Sequence, residues 1–173
     1  MLPREYKPNN YDSFDREPWE DYVARLQIPP DEATRQFFRQ VAYDHLDHFN
    51  NHFPDFILAE YTVGLESFTA QEANEVVRFL QNEPMDWWAD QYEDFSKKNY
   101  PYIIYQEMSK NLTPPFPPVL LESSRLVDAG WRVYGRPYHL VEGTHRVGYM
   151  RHMLAKGIIT PQSSHNFVVL RPA

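Results

Sequence analysis

Five consecutive residues near the C-terminus, Glu142-Gly143-Thr144-His145-Arg146, combine side chains that can bind phosphate. They lie where an apolar run of period 2 changes to a run of helical period, so a helix is expected to begin here. The first amides of a helix are unpaired and carry the positive end of its dipole, which makes them a site for anions. Gly143 would let the backbone approach a ligand, and Thr144 would cap the helix or donate its hydroxyl to phosphate. His145 and Arg146 would add donors, since a guanidinium can bind two phosphate oxygens.

Carboxylates are the second requirement for phosphate chemistry. Glu142 closes the preceding strand and could bind Mg²⁺, bind a ribose hydroxyl or accept a proton from a substrate. Glu60 and Glu66, at the end of the first predicted strand, could activate a substrate hydroxyl if that strand faces the junction. Spacing alone leaves a plainer alternative open, because many surface helices begin with Gly-Thr and a nearby Arg.

Three histidines form a separate candidate cluster. His45, His48 and His52 follow one another at i, i+3 and i+7, and the last two are one helical turn apart, a spacing that can chelate a metal. No Glu stands between them in the position of the H-E-x-x-H general base. We favour the alternative, in which they are the polar flank of a helix whose other face is core.

An acidic and aromatic stretch, residues 85–95, is a candidate surface for a protein partner. Trp88, Tyr92 and Phe95 recur at helical spacing, which favours a core position for these three. Trp87 remains the candidate for an exposed contact.

The elements that must position these residues can be read from periodicity. Pro29-Pro30 and a capping Asp31 predict a helix that ends before Pro54, and Thr69 with Glu72 forms a capping box for a helix over 69–80. Between them, 56–65 is expected to be a strand. The remaining predicted elements are two helices within 85–112 broken near 99–101, strands over 118–124 and 136–143, a helix after Gly143 with Gly157 as its C-terminal cap, and a last strand over 165–172.

Charge is divided unevenly along the 173 residues, whose net charge is −7. Residues 1–100 carry 20 Asp and Glu against 9 Lys and Arg, and residues 101–173 carry 4 against 8. This asymmetry suggests that the first part, at −11, is solvated or faces a basic partner and that the second part, at +4, faces an anion. Alternatively, the two parts neutralise each other where they are in contact. Four arginines could extend the anion site at Gly143: Arg125, Arg132, Arg136 and Arg151. The alternative is that they are only solvated surface residues.

Composition excludes several classes of function. The chain has no cysteine, which rules out disulfide scaffolds, thiol catalysis and Cys-based zinc sites and favours a reducing compartment. Neither a signal peptide nor an apolar run long enough to cross a membrane is visible, so we expect a cytoplasmic protein without a membrane partner.

The order "PPVLL", "YHLVEGTHRVGYMRHML", "NFVVLR", over residues 117–173, resembles the ParB/sulfiredoxin superfamily. The resemblance implies an α+β domain over 56–173, a small mixed sheet with packed helices. Residues 1–20 show no period and are rich in Pro, Asn and Asp, so we expect an extended arm there, followed by a helical extension over 21–55. The resemblance also implies a bound nucleoside triphosphate, ATP or CTP, with Mg²⁺. Gly143, Thr144, His145 and Arg146 would then hold the phosphates, with Glu142 at the acidic position of the motif.

Departures from the superfamily narrow the expected function. Thr144 stands where sulfiredoxins have their catalytic Cys, which excludes their chemistry, and the acidic first 100 residues do not suit a DNA clamp. We therefore expect a nucleotide-binding protein, with ATP-dependent small-molecule phosphotransfer or nucleotide hydrolysis as its enzymatic form. The alternative is a non-catalytic acidic interaction protein, of the immunity, antitoxin or phage-inhibitor type, that binds a basic protein.

Overall fold

The computed structural model describes residues 1–79, 83–128 and 133–173, which form a mixed five-stranded sheet with helices on both faces. The strand order is β1-β5-β3-β4-β2. Strand β5 is antiparallel to β1 and parallel to β3, whereas β4 is antiparallel to β3 and parallel to β2. The strands are β1 (Tyr61–Thr69), β2 (Val77–Arg78), β3 (Val119–Glu122), β4 (Tyr138–Glu142) and β5 (Ser164–Pro172). The α-helices are α1 (Trp19–Leu26), α2 (Glu32–Phe37), α3 (Asp44–His52), α4 (Ala70–Val76), α5 (Glu83–Lys98), α6 (Ile103–Asn111) and α7 (Thr144–Ala155). The expected α+β class, a small mixed sheet with packed helices, is confirmed.

Alternating strand residues divide the interior into two cores. Val119 and Leu121 of β3 pack with the N-terminal helices, whereas Leu120 packs with α4 to α7. Neighbouring strand residues point to opposite faces, so one apolar run serves both layers. The segment expected to be a helical extension, 21–55, thus covers one face of the sheet. Within the arm, Leu2 is buried and Tyr6 packs on the same core, but Phe14 is fully exposed and does not hold the arm in place.

The helix expected between Asp31 and Pro54 is present but interrupted. The Asp31 side chain accepts a hydrogen bond from the Thr34 amide, as a cap should. A π-helical segment, Phe38–Tyr43, follows α2, and His45 leaves helical geometry at φ −139° and ψ 29°. The apolar residues that recur at helical spacing in this region are all buried: Phe38, Ala42, Leu46, Phe49 and Phe53.

The middle of the chain differs from the prediction in two places. Strand β1 begins five residues later than expected, and α4 ends at Val76 because the next residues pair with β4 as strand β2. Val77 is β-branched and weak in helices, so the sheet edge is its better partner. The capping box of Thr69 is present, the break between α5 and α6 lies at 99–102, and Leu80 lies outside the described residues.

The C-terminal order of two strands, a helix and a strand is confirmed, with α7 beginning directly after Gly143. Gly157 follows α7 at φ +68°, the left-handed conformation expected of a helix cap. Among the described residues, no helix is both long and apolar enough to span a bilayer.

Candidate functional site

The turn from β4 to α7 is built so that only glycine fits at its corner. Gly143 has φ +113°, and a Cβ added there would lie 2.9 Å from the Pro118 Cβ. Gly143 is the N-cap residue of α7, and no described side chain accepts a hydrogen bond from the first turn of that helix. Thr144 therefore does not act as the cap. The first amides of a twelve-residue helix remain available to an anion.

Arg146 does not extend toward a ligand, which corrects the expectation that it grips phosphate directly. Arg146 is 3% exposed, and its guanidinium donates through Nη1 to the carbonyl oxygens of Phe116, at 3.0 Å, and Pro117, at 3.2 Å. Its Nη2 lies 3.5 Å from Glu142 Oε1. Burial lowers its pKa to about 10, and Glu142 opposes that shift, so the group stays charged at neutral pH. Arg146 is a fixed positive charge behind the turn.

His145 is held at the opening of the turn by two aromatic residues that the sequence did not indicate. Its ring centroid lies 3.4 Å from that of Trp88, and its Nδ1 is hydrogen-bonded to the Tyr102 hydroxyl. Burial, and then the nearby Arg146 charge, lower the pKa of His145 to about 4. The ring is therefore neutral at physiological pH and offers one donor and one acceptor.

A cleft of about 250 Å³ opens beside this turn. Its lining comes from the turn itself, from the π-helical segment and the start of α3, and from residues next to the start of α6 and before β3. No periodicity in the sequence indicates a π-helical segment, so the residues that it contributes were not expected. The cleft is lined by Gln40, Asp44, His45, Tyr102, Ile104, Phe116, Glu142, Gly143, His145 and Arg146.

The two carboxylates of the cleft are already engaged. Glu142 lies 3.5 Å from Arg146 and 3.9 Å from His45 Nε2, and Asp44 lies 3.2 Å from Arg16. Among the residues that the structure describes, no group of three or more His, Asp or Glu is arranged to hold a metal ion. Mg²⁺ bound mainly by phosphate oxygens would need only one or two carboxylates.

Glu60 and Glu66 do not face the junction, which corrects that expectation. Glu66 lies on β1, which β5 and β3 separate from β4, and both its oxygens bind Arg171, at 2.6 and 2.8 Å. Glu60 precedes β1 at the end where Tyr61 pairs with Pro172, opposite the end that carries Gly143. Of the three expected catalytic carboxylates, only Glu142 lies in the cleft.

The three histidines form a polar flank beside the cleft. The His48 and His52 rings lie 4.2 Å apart, and His52 Nδ1 is 2.9 Å from the His48 carbonyl oxygen. Burial and the neighbouring His52 lower the pKa of His48. They belong to no three-residue metal group in the described part of the chain.

The arginines expected to extend the anion site lie elsewhere. Arg136 donates to the carbonyl oxygens of Ser123 and Leu126, and Arg151 donates to that of Val77. Arg125 lines a different cleft, near Glu60. Arg132 lies outside the described residues.

Searches against protein-family models, curated proteins and solved structures gave no match. The arguments below therefore depend on the geometry of the cleft and on the chemistry of its residues.

Proposed function

We propose that the cleft binds a nucleoside triphosphate, with the phosphates on the first amides of α7. The observation that carries the proposal is the Gly143 turn, which leaves those amides uncapped beside a cleft of about 250 Å³. The amides of residues 144–146 would donate to phosphate oxygens. Thr144 itself does not line the cleft, so its hydroxyl would have to turn toward the phosphates to join them. Arg146 would act through its charge rather than through direct hydrogen bonds.

His145 supplies a donor without adding charge. A phenol O–H is the better donor and an imidazole nitrogen the better acceptor, so the Tyr102 hydroxyl donates to Nδ1 and the ring proton resides on Nε2. An Nε2–H group can donate to a phosphate oxygen at neutral pH. The contribution of His145 to the affinity should therefore vary little between pH 6 and pH 8, because the pKa of His145 is about 4.

The resemblance of residues 117–173 to the ParB/sulfiredoxin superfamily supports the same proposal and leaves ATP and CTP as the first candidates. Mg²⁺ would enter with the phosphates, with Glu142 or Asp44 as its protein ligand. Phosphotransfer or nucleotide hydrolysis would have to use Glu142 as the proton acceptor. Such a ligand would place the protein in the cytoplasm.

A substitution at Thr144 tests the proposal because it should affect binding and folding in opposite directions. Thr144→Glu places a negative charge at the N-terminus of α7, where it stabilises the helix by about 0.3–1 kcal/mol but repels phosphate. Calorimetry with ATP, CTP and GTP, each with Mg²⁺, should show binding to the unmodified protein. The Thr144→Glu variant should lose at least about tenfold in affinity, which corresponds to about 1.4 kcal/mol.

Thr160→Glu is the matched control, since it makes the same change of charge at an exposed residue outside the cleft. Its affinity should stay within about twofold of the unmodified protein, as is usual for a distant surface charge screened by salt. Absence of binding at millimolar nucleotide, or equal loss in both variants, would refute a phosphate site at this turn.

One observation favours a second function, contact with a basic protein. Trp87 is 54% exposed on α5, next to the exposed carboxylates of Asp86 and Asp90. Exposed Trp beside acidic groups suits a basic and apolar partner. A pull-down from the native host should recover a stoichiometric partner that Trp87→Ser loses and Phe14→Ser, a change of another exposed aromatic residue, retains. Equal recovery by both variants would remove this candidate.

A further inference from the structure

Strand β1 forms one edge of the five-stranded sheet, and it is a long and regular edge. It pairs with β5 in one unbroken antiparallel register, from Tyr61 opposite Pro172 to Thr69 opposite Ser164. The other edge is β2, which has only two residues. Short strands, prolines, lysines and bulges usually protect a sheet edge against pairing with another chain. Strand β1 has none of these protections, since it contains neither Pro nor Lys and its register does not shift.

Two hydrogen bonds just beyond the ends of β1 show which of its backbone groups point outward. The Ala173 amide donates to the Glu60 carbonyl oxygen at 2.8 Å, and the Ala70 amide donates to the Ser163 carbonyl oxygen at 2.7 Å. In an antiparallel ladder, residues that bond to one neighbouring strand alternate with residues that point away from it. The even-numbered residues of β1 therefore bond to β5. The amides and carbonyl oxygens of the odd-numbered residues point away from the sheet.

Most of these outward groups are unpaired in the part of the chain that the structure describes. The amide of Thr69 is occupied, since it donates to the Glu72 carboxylate of the capping box at 2.8 Å. Leu65, in the middle of the strand, is 39% exposed. Four odd-numbered residues have backbone amides without a hydrogen-bond partner among the described residues: Tyr61, Val63, Leu65 and Ser67. This open stretch is long enough to pair with a second strand.

The charge on this edge is balanced within the chain. Glu66 is the charged residue of β1, and its two oxygens accept from the Arg171 guanidinium at 2.6 and 2.8 Å. Electrostatic complementarity needs an uncompensated charge, so this edge selects neither a basic nor an acidic strand. What it offers is a row of backbone donors and acceptors. An antiparallel copy of the same strand presents the matching row.

We propose that the occupant of this edge is a second copy of the chain, with the two β1 strands antiparallel across a twofold axis at Leu65. Leu65 would then face Leu65 of the second copy, and Val63 would exchange backbone hydrogen bonds with Ser67. Glu66 would face Gly64, where the surroundings leave space, since nothing lies within 4 Å of an added Cβ. An axis at Glu66 would instead place two carboxylates opposite each other, which is unfavourable. The pairing joins the two sheets into one and does not depend on nucleotide binding.

Sedimentation velocity on the intact chain tests the proposal by measuring mass against concentration. We expect a dimer to form by about 100 µM. Its dissociation constant should rise at least about tenfold in Leu65→Lys, because two like charges would face each other at the axis. Ile103→Lys is the matched control, since it makes the same change of charge at an apolar residue of α6 that is 60% exposed. It should leave the dissociation constant within about twofold, and thermal unfolding shows whether both variants are folded.

Disulfide cross-linking tests the register, and the absence of cysteine from the chain leaves no competing thiol. Facing residues of an antiparallel hydrogen-bonded pair have Cα atoms about 5.5 Å apart, which is within the range of a disulfide. Leu65→Cys should therefore give a covalent dimer on mild oxidation. Thr62 is exposed on the same strand but would lie about 20 Å from its copy, so Thr62→Cys should not cross-link.

A chain that stays monomeric at about 100 µM would refute the inference without any variant. A dimer that Leu65→Lys leaves intact would show that the copies meet at another surface, which would also refute it. Cross-linking of Thr62→Cys as readily as Leu65→Cys would have the same meaning. None of these results bears on nucleotide binding.

Discussion

The packing of α5 on α7 depends on the absence of a side chain at Gly148, and Gly148→Ala tests this directly. A Cβ built on Gly148 lies 2.5 Å from the Met85 carbonyl oxygen, 2.8 Å from the Trp88 Cβ and 3.1 Å from the Ala89 amide nitrogen. Two of these atoms are backbone and the third is next to it, so none can move without moving α5. The two helices must separate to admit one methyl group.

The magnitude follows from two opposing effects. Overpacking of a well-filled core costs about 1–3 kcal/mol, and contacts shorter than 3.0 Å favour the upper end of that range. Alanine in a helix interior recovers about 0.5–1 kcal/mol relative to glycine. We expect Gly148→Ala to be less stable by about 2 kcal/mol. For a chain of this size that lowers the midpoint of thermal unfolding by roughly 4–8 °C.

Urea and thermal unfolding, followed by tryptophan fluorescence, measure the effect, and two other glycines provide controls. Gly64, in β1, has no atom within 4 Å of its added Cβ, so Gly64→Ala should be neutral or stabilise by up to about 1 kcal/mol. Gly157 is equally open but has φ +68°, so Gly157→Ala should cost about 1 kcal/mol through the backbone alone. A Gly148→Ala variant as stable as the unmodified protein would show that α5 does not pack as described.

Three further predictions concern the cap, the pH dependence and the site. Thr69→Ala removes the capping box of α4 and should cost about 1 kcal/mol in urea unfolding; an unchanged midpoint would show that α4 needs no cap. Burial lowers the pKa of His139 to about 4, so the unfolded chain binds a proton first as the pH falls, and stability is lost between about pH 6.5 and pH 4. The loss attributable to His139 is about 2 kcal/mol at pH 5, and His139→Asn should remove it; an identical slope in the variant would contradict this assignment. Glu66→Gln should leave the nucleotide affinity within about twofold, because Arg171 binds that carboxylate on β1, which β5 and β3 separate from β4 and the cleft. A larger loss of affinity would show that Glu66 contributes to the site.

Local signals in the sequence were sufficient where both interacting groups lie a few residues apart. Asp31 and Thr69 cap helices as expected, because capping depends on a side chain and an amide three residues apart. The change of period at Gly143 places the start of α7 correctly, since both periods are visible within a few residues. The early end of α4 was missed because the partner of Val77 is strand β4, some sixty residues later.

The candidate site was predictable only in its backbone. The amides of the turn follow from Gly143 and the helix after it, but the direction of the Arg146 side chain does not. Glu142 and two carbonyl oxygens of the proline-rich residues 113–118 hold it inward. The Glu142 contact has i,i+4 spacing, but the two carbonyl contacts join residues far apart in the sequence and have no spacing that could be read in advance. Gln40 was missed for the same reason.

The sequence by itself determined the class of fold, the order of the C-terminal elements and the glycine corner from which α7 begins, because each depends on neighbours a few residues apart. The tertiary structure decided which charged groups stand beside that corner. In the folded protein Glu60 and Glu66 lie away from the cleft and Arg146 points inward. Tyr102, just before α6, and Gln40, in the π-helical segment, line the cleft. Side-chain direction is set by packing between segments that are distant in the sequence, and the sequence alone does not show which segments pack together.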